Sequence, residues 1–146
     1  MCGIAGFWAL NGNQNYYLNA IKEMALALNH RGPDNTGYWN DLNQSLFLAH
    51  NRLSILDLSL EGNQPMKSQS GRYVITFNGE IYNHKELKIE LERHDKSLKL
   101  RGHSDTEVLL EVISKFGLEK ALKKCVGMFA MAIWDNQKKC LYLARD

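Results

Sequence analysis

The strongest chemical signal in the sequence is Cys2, which follows only Met1. A residue as small as cysteine at position 2 ordinarily allows the initiator methionine to be removed, and Cys2 would then carry a free α-amine. An α-amine is partly unprotonated near neutral pH, so it can take the proton of the adjacent thiol. One residue would then supply both the nucleophile and its base. The alternative is a small buried cysteine in a strand.

Three other polar positions have both a structural and a chemical interpretation. Arg52 lies inside an apolar run, Leu48 to Leu58, where a charge needs a partner or an exit to solvent. Asn78-Gly79 follows an apolar segment and is a common hairpin signal. Asp105 follows Ser104 in the first turn of a predicted helix, where an acidic residue is favourable without any ligand.

The first half of the chain predicts a strand, a helix and further strands. Cys2 to Ala9 is typical of a strand that Asn11-Gly12 closes, and the helix that follows stops at Gly32-Pro33. Leu46 to Leu58 indicates one or two strands, and the alternation from Tyr73 to Phe77 predicts another that ends at Asn78-Gly79. The apolar face of the helix is formed by Leu18, Ile21, Ala25 and Leu28.

Two helices and a hairpin are predicted in the second half. Asn83 with Glu86 forms a capping-box pattern for a helix that fades near Arg93 and His94, and Ser104 with Glu107 forms a stronger one for a helix that stops at Gly117. Met128 to Trp134 is typical of a strand buried on both faces, and Asp135-Asn136 turns it into a partner, Lys139 to Ala144. Strands at both ends with helices between them favour a layered α/β or α+β domain.

Composition limits the classes of function. Residues 1–146 fit a single domain, and a net charge of +2 without a basic stripe argues against a nucleic-acid partner. The N-terminal apolar run lacks a preceding basic segment, so we expect neither a signal peptide nor a membrane span. The odd cysteine count without a CxxC pair points to a reducing cytoplasm, and no spacing of His and Cys predicts a metal site.

Five segments together give a family resemblance. They are CGIAG at 2–6, HRGPD at 30–34, NRLSI at 51–55, NGEIYN at 78–83 and SDTE at 104–107. In this order and spacing they resemble the class II glutamine amidotransferases. HRGPD, NGEIYN and the late GMFAMAIWD segment at 127–135 are most similar to the N-terminal half of the asparagine synthetases.

The resemblance implies an α+β fold, the four-layer αββα sandwich of the N-terminal nucleophile hydrolases. It also implies an activity, in which L-glutamine is hydrolysed to glutamate and ammonia through a thioester on Cys2. The ammonia would pass to a synthetase domain in cis, with aspartate as the first guess for the acceptor. ATP and Mg would belong to that domain only, so this domain is expected to need no cofactor. The resemblance leaves a homodimer open.

Roles for individual residues follow from the same resemblance. Asn78 and Gly79 match an oxyanion hole beside the catalytic Cys2, and Arg52 matches a clamp on the glutamine α-carboxylate. Glu80 and Asp105 match residues that hold the α-ammonium group. Leu53 and Ile55 correspond to positions that line the glutamine pocket. Arg31 and Asp34 lie in a loop whose family role is structural.

Two other functions remain as hypotheses. If Met1 stays attached, Cys2 has a peptide nitrogen instead of an amine, and the domain would be a non-catalytic glutamine-binding or assembly module. An N-terminal cysteine hydrolase that acts on a different amide would be indifferent to glutamine. The paired clamps for ammonium and carboxylate argue against that second hypothesis.

Overall fold

A computed structural model describes residues 1–10, 13–54 and 59–146, and within them it contains two antiparallel sheets. The first sheet has the order β1-β3-β2, with β1 at Gly3–Trp8, β2 at Asn35–Asp41 and β3 at Leu46–Arg52. The second has the order β4-β5-β6-β7, with β4 at Met66–Lys67, β5 at Tyr73–Ile81, β6 at Gly127–Asp135 and β7 at Cys140–Arg145.

Four α-helices accompany these sheets in the described residues. They are α1 at Gln14–Ala27, α2 at His84–His94, α3 at Asp105–Phe116 and α4 at Leu118–Lys124. Short 3-10 turns lie at Asn29–Arg31 and Leu60–Gly62. None of the described helices is long and apolar enough to cross a membrane.

Strand β3 is buried on both faces, which shows how the layers stack. Because side chains alternate along a strand, Leu46 and Leu48 point to one face, where they pack with Trp134 of the second sheet. Phe47 and Ala49 point to the other face. There they pack against Ile21 and Ala25 of α1. The first sheet therefore lies between α1 and the second sheet.

The outer face of the second sheet is covered by the remaining helices. Ile75 and Phe77 of β5 belong to the largest apolar cluster, which includes Leu109 and Ile113 of α3. Leu87 of α2 and Ala121 of α4 join the same cluster. The order of layers is thus helix, sheet, sheet and helices, and the predicted four-layer αββα fold is confirmed.

The prediction that a strand ends at Asn78-Gly79 is wrong. Strand β5 continues to Ile81, and Asn78 pairs with Ala130 while Gly79 pairs with Phe129 of β6. The local preference of Asn-Gly for a turn is overridden because the apolar β6 offers a full-length partner. The backbones approach closely here, since a Cβ added to Gly79 would collide with Met128 O.

Helix predictions based on local signals need two corrections. Helix α1 ends at Ala27, and a 3-10 turn at Asn29–Arg31 fills the space before the predicted stop at Gly32-Pro33. Ser104 Oγ accepts from Glu107 N at 3.2 Å, as its capping pattern predicts. Asn83 occupies the N-cap of α2, but its side chain makes no cap bond. It instead donates to Lys124 O at 2.8 Å and accepts from Val126 N at 2.9 Å. Those tertiary partners replace the predicted capping box.

Some elements were not predicted, and some predictions cannot be compared with the structure. No sequence pattern predicted strands β2 and β4 or helix α4. The predicted turn at Asn11-Gly12 and the end of the predicted run at Leu58 lie outside the described residues. The hairpin of β6 and β7 is confirmed, with pairing from Ala130 to Asp135.

Candidate active site

A cavity of about 200 Å³ opens where the two sheets and the start of α3 meet. The predicted site residues line it with one exception, Ile55, which lies outside the described residues. Those that line it are Cys2, Arg52, Leu53, Asn78, Gly79, Glu80 and Asp105. The fold thus brings together residues from the N-terminus, β3, β5 and α3.

Cys2 directly precedes β1, and its side chain contacts the backbone of the segment that follows β3. Leu53 N donates to Cys2 Sγ at 3.3 Å, and the thiol faces Leu53 O at 3.7 Å. A backbone N–H directed at sulfur would bind a thiolate more strongly than a thiol. Met1 is 59% exposed and lines the same cavity, so it stands at the entrance beside the thiol.

The loop that contains Arg31 and Asp34 fixes the surroundings of the thiol. Arg31 Nε donates to Cys2 O at 3.2 Å, and Asp34 Oδ2 accepts from Ser54 N at 2.8 Å. Asp34 N also donates to Arg52 O at 3.0 Å. Gly32 lets this loop pack directly on β3, because an added Cβ would collide with the backbone of Asn51 and Arg52.

Arg52 is the last residue of β3 and is buried, with 7% of its surface exposed. Its Nη1 donates to Ser59 O at 2.7 Å and to Asn63 Oδ1 at 2.8 Å. Gly62 lies against the guanidinium, and a Cβ there would collide with Nη2. The turn at 59–63 therefore orients a planar cation at the cavity wall. Sequence reasoning missed the contributions of Gly62 and Asn63.

The edge of β5 provides the opposite wall. Strand β4 pairs only with Ile75 and Val74, so β5 extends beyond its neighbour on that side. Phe77 N instead donates to Gln64 Oε1 at 2.7 Å, and Ile81 N donates to Asp105 Oδ2 at 2.8 Å. Because the direction of backbone groups alternates along a strand, Gly79 N lies on the same edge between these two.

Asp105 reaches the cavity from the first turn of α3 and is 5% exposed. Its Oδ2 accepts from Ile81 N, and its Oδ1 accepts from Thr106 N at 2.8 Å. The helix-capping interpretation and the cavity position are both correct, since one carboxylate begins the helix and faces the cavity. Glu80 lies beside it on β5 and is exposed.

His50 and Gln64 are buried residues of the cavity wall that sequence reasoning missed. His50 Nε2 lies 3.1 Å from Phe77 O, and no described atom is a partner of its Nδ1. Burial lowers the pKa of His50 to about 4, with a further lowering from the charge of Arg52, although the bond to Phe77 acts in the opposite direction. The only available signal was the position of His50, two residues before Arg52 on one face of β3.

Among the described residues, no group of three His, Cys, Asp or Glu side chains could hold a metal ion. The charged and nucleophilic groups at the cavity are a thiol, a guanidinium and two carboxylates, and amides, hydroxyls and an imidazole line it as well. Such a set suits a small zwitterionic substrate with a carbonyl group.

Comparison with known proteins identifies the family. A family model described as a glutamine amidotransferase domain matches residues 1–146, and the chain belongs to this family. Among curated relatives, asparagine synthetase [glutamine-hydrolyzing] 2 of Bacillus subtilis is 39% identical over 148 residues, which cover 100% of this chain and 19% of the relative. A putative asparagine synthetase [glutamine-hydrolyzing] 2 of Methanocaldococcus jannaschii is 35% identical over 162 residues, with 100% and 30% covered.

A solved structure supports the fold. The glutamine phosphoribosylpyrophosphate amidotransferase from B. subtilis, in complex with ADP and GMP, matches with a TM-score of 0.67 and 20% identity. The match covers 100% of this chain and 37% of that one. At this identity the likeness shows the fold alone. The chain spans about a fifth of the length of the first curated relatives it matches.

Proposed function

We propose that this domain hydrolyses the side-chain amide of L-glutamine through a thioester on Cys2. The observation that carries the proposal is that Cys2 and the open edge of β5 at Asn78 and Gly79 line one cavity. A nucleophile opposite fixed N–H donors is the arrangement that acyl transfer requires. The asparagine synthetase relatives are named as glutamine-hydrolysing, which agrees with this chemistry.

The reaction proceeds in two steps. The α-amine of Cys2, once Met1 is removed, takes the thiol proton, and the thiolate attacks the amide carbon. The oxyanion accepts hydrogen bonds from the Asn78 side chain and Gly79 N, and the C–N bond breaks as the ammonium of Cys2 returns the proton to the leaving nitrogen. Ammonia departs, and water then cleaves the thioester to give glutamate. Glutamine and water are the only reactants, so this half-reaction requires no cofactor.

The head group of glutamine would be held by charges on both walls. Arg52 offers a planar cation to the α-carboxylate, and Glu80 and Asp105 offer carboxylates to the α-ammonium. Leu53 contributes backbone groups beside the thiol, and we assign Ile55 to the same pocket from the resemblance alone. This arrangement selects an α-amino acid over a simple amide.

We further propose that the ammonia passes to an asparagine synthetase-like domain in cis, with aspartate as its acceptor. The similarity to asparagine synthetases over the whole chain supports this proposal. ATP and Mg would act in that acceptor domain. The three cysteines are free in the structure, which fits a reaction in the reducing cytoplasm.

Ammonia release from glutamine by the full-length polypeptide tests the proposal. We expect release that disappears in Cys2→Ala and that requires an intact mass without Met1. A second assay with a primary amide that lacks the α-amino acid head group should show little turnover. Release that persists in Cys2→Ala, or equal turnover of the simple amide, would contradict the assignment.

A further inference from the structure

Two buried side chains, those of Gln64 and His50, bind the backbone of β5 at Phe77, where, among the described residues, β5 has no neighbouring strand on one side. If the β4-β5 register is extended beyond Met66 and Ile75, Gln64 stands opposite Phe77. The Gln64 side chain, rather than its backbone, accepts from Phe77 N at 2.7 Å. His50 Nε2 lies 3.1 Å from Phe77 O. Two side chains thus take the place of a neighbouring strand at Phe77.

The next residue along the chain is Asn78, and it shares a peptide plane with Phe77. The Phe77 carbonyl and the Asn78 N–H belong to one rigid unit, so a bond to Phe77 O restrains the plane from which Asn78 begins. At the other end of this stretch, Asp105 Oδ2 accepts from Ile81 N at 2.8 Å. The segment that contains Asn78 and Gly79 is therefore held on both sides.

Gln64 also connects the Phe77 backbone to Asp105, the carboxylate proposed to hold the α-ammonium group. Its Nε2 donates to Thr106 Oγ1 at 3.4 Å, and Thr106 N donates to Asp105 Oδ1 at 2.8 Å. Gln64 is 7% exposed and His50 is 1% exposed, so water does not compete for these bonds. The Gln64 amide and the His50 imidazole lie between the layers and thus link β3, β5 and α3.

His50 carries a cost that packing alone does not explain. A carbonyl oxygen only accepts, so Nε2 bears the proton, and Nδ1 is a buried acceptor without a partner among the described atoms. The low pKa of the ring, about 4, keeps it uncharged throughout the neutral range, and the bond to Phe77 O selects the tautomer. An apolar side chain would avoid the unpaired nitrogen but would leave Phe77 O without its donor.

We propose that His50 and Gln64 are positioning residues, which hold the Phe77 peptide so that Asn78 and Gly79 face the bond under attack. This inference rests on the proposed function, since it assigns the two donors to the oxyanion. It predicts an effect on turnover rather than on glutamine binding, because the oxyanion forms only after binding.

The test is glutaminase kinetics of the full-length polypeptide with paired variants. We expect His50→Leu and Gln64→Met to lower kcat about 10- to 100-fold, as small misplacements of catalytic groups do, with KM for glutamine within about threefold. His50→Gln, whose amide N–H can reach the place of Nε2, should restore most of kcat. His50→Asn is too short and should not. Thermal unfolding of each variant establishes that it is folded.

Thr76→Val is the matched control, because it removes a buried hydroxyl of the same strand, which donates to Ala49 O, and leaves both the Gln64 and the His50 bonds to the Phe77 backbone in place. Its kcat should equal that of the unmodified protein. Unchanged kcat in His50→Leu and Gln64→Met would overturn the inference, as would an equal loss in Thr76→Val or no difference between His50→Gln and His50→Asn. Turnover that survives Cys2→Ala would instead refute the proposed function, and the inference with it.

Discussion

The two walls of the cavity are built in different ways. The β3 wall presents two side chains: the Cys2 thiol, which accepts from Leu53 N, and the Arg52 guanidinium, which is oriented by the turn at 59–63. The β5 wall presents groups on a strand that pairs with β6 along its length and is held at Phe77 and Ile81. Recognition of a substrate tolerates a side chain held by a loop, whereas stabilisation of a transient charge needs donors that are already in place.

The sharpest test of this difference is Asn78→Ala, which removes a donor from the β5 wall. Under the proposed mechanism we expect kcat to fall about 10²- to 10³-fold, roughly 2.7 to 4 kcal/mol, which is the usual loss when an oxyanion donor is removed. Glutamine binding should remain, because the oxyanion is absent from the bound substrate. Steady-state kinetics checks this result, and a rise in KM at constant kcat would show that Asn78 serves recognition and not the oxyanion.

His50, which links β3 to β5, should make the free energy of unfolding depend on pH. The pKa of His50 is lowered from 6.5 to about 4, so the unfolded chain takes up a proton in this range before the folded protein does. Folding free energy is therefore lost as the pH falls from 6.5 to 4, in total about 3 kcal/mol. Above pH 6.5 the group has no effect. Denaturant unfolding at several pH values measures the loss.

His50→Gln is the control for this titration, since it lacks the ionisable ring. The loss of folding free energy between pH 6.5 and 4 should be smaller in the variant, by the amount that His50 contributes. The difference between the two proteins is the relevant quantity, because burial raises the pKa of Glu111 and gives an opposite contribution. Identical pH profiles would contradict the assignment of this loss to His50.

On the β3 wall, Arg52→Lys should affect recognition. A lysine keeps the charge but loses the planar pair of donors, and a hydrogen bond to a charged group contributes about 1.5 to 3 kcal/mol. We expect KM for glutamine to rise roughly 10- to 100-fold with kcat little changed. A fall in kcat at constant KM would place Arg52 with the transition-state donors and remove the contrast between the walls.

A smaller effect on the same wall is expected from Gly62→Ala, which pushes a methyl group into the guanidinium of Arg52. KM should rise roughly fivefold to tenfold, equivalent to about 1 kcal/mol, at the low end of overpacking costs. Gly71→Ala is the matched control, because an added Cβ there meets nothing within 4 Å. It has a φ of 70°, so it should lower stability and leave KM unchanged. Equal KM values in the two variants would show that a methyl group at position 62 does not displace the Arg52 guanidinium.

Local patterns in the sequence predicted the parts of the fold that local physics determines. Helix α3 followed from the Ser104 cap and its apolar face, and the β6-β7 hairpin followed from its turn. Strand β2 was missed because it mixes polar residues with Gly37, and α4 because seven residues carry little periodic signal. The order of the layers came from the resemblance rather than from periodicity.

Motifs in the sequence pointed to residues that line one cavity, whereas residues that depend on contacts between the layers were missed. Cys2, Arg52 and Asp105 meet in one cavity as expected. The turn assigned to Asn78-Gly79 was wrong because pairing with β6 outweighs the local preference. Gln64 and His50 could not be predicted, since their roles depend on the register of β4 with β5 and on the packing of one sheet against the other.

The place of Met1 has a practical consequence for anyone who expresses this domain. The next residue after Cys2 already belongs to β1, so anything attached upstream must leave through the mouth of the cavity that Met1 occupies. An affinity tag or a fusion partner at the N-terminus would occupy that mouth and convert the proposed base into a peptide nitrogen. Purification handles therefore belong at the other end of the polypeptide, and under the proposed mechanism incomplete methionine removal would give a preparation in which only a fraction of the molecules is active.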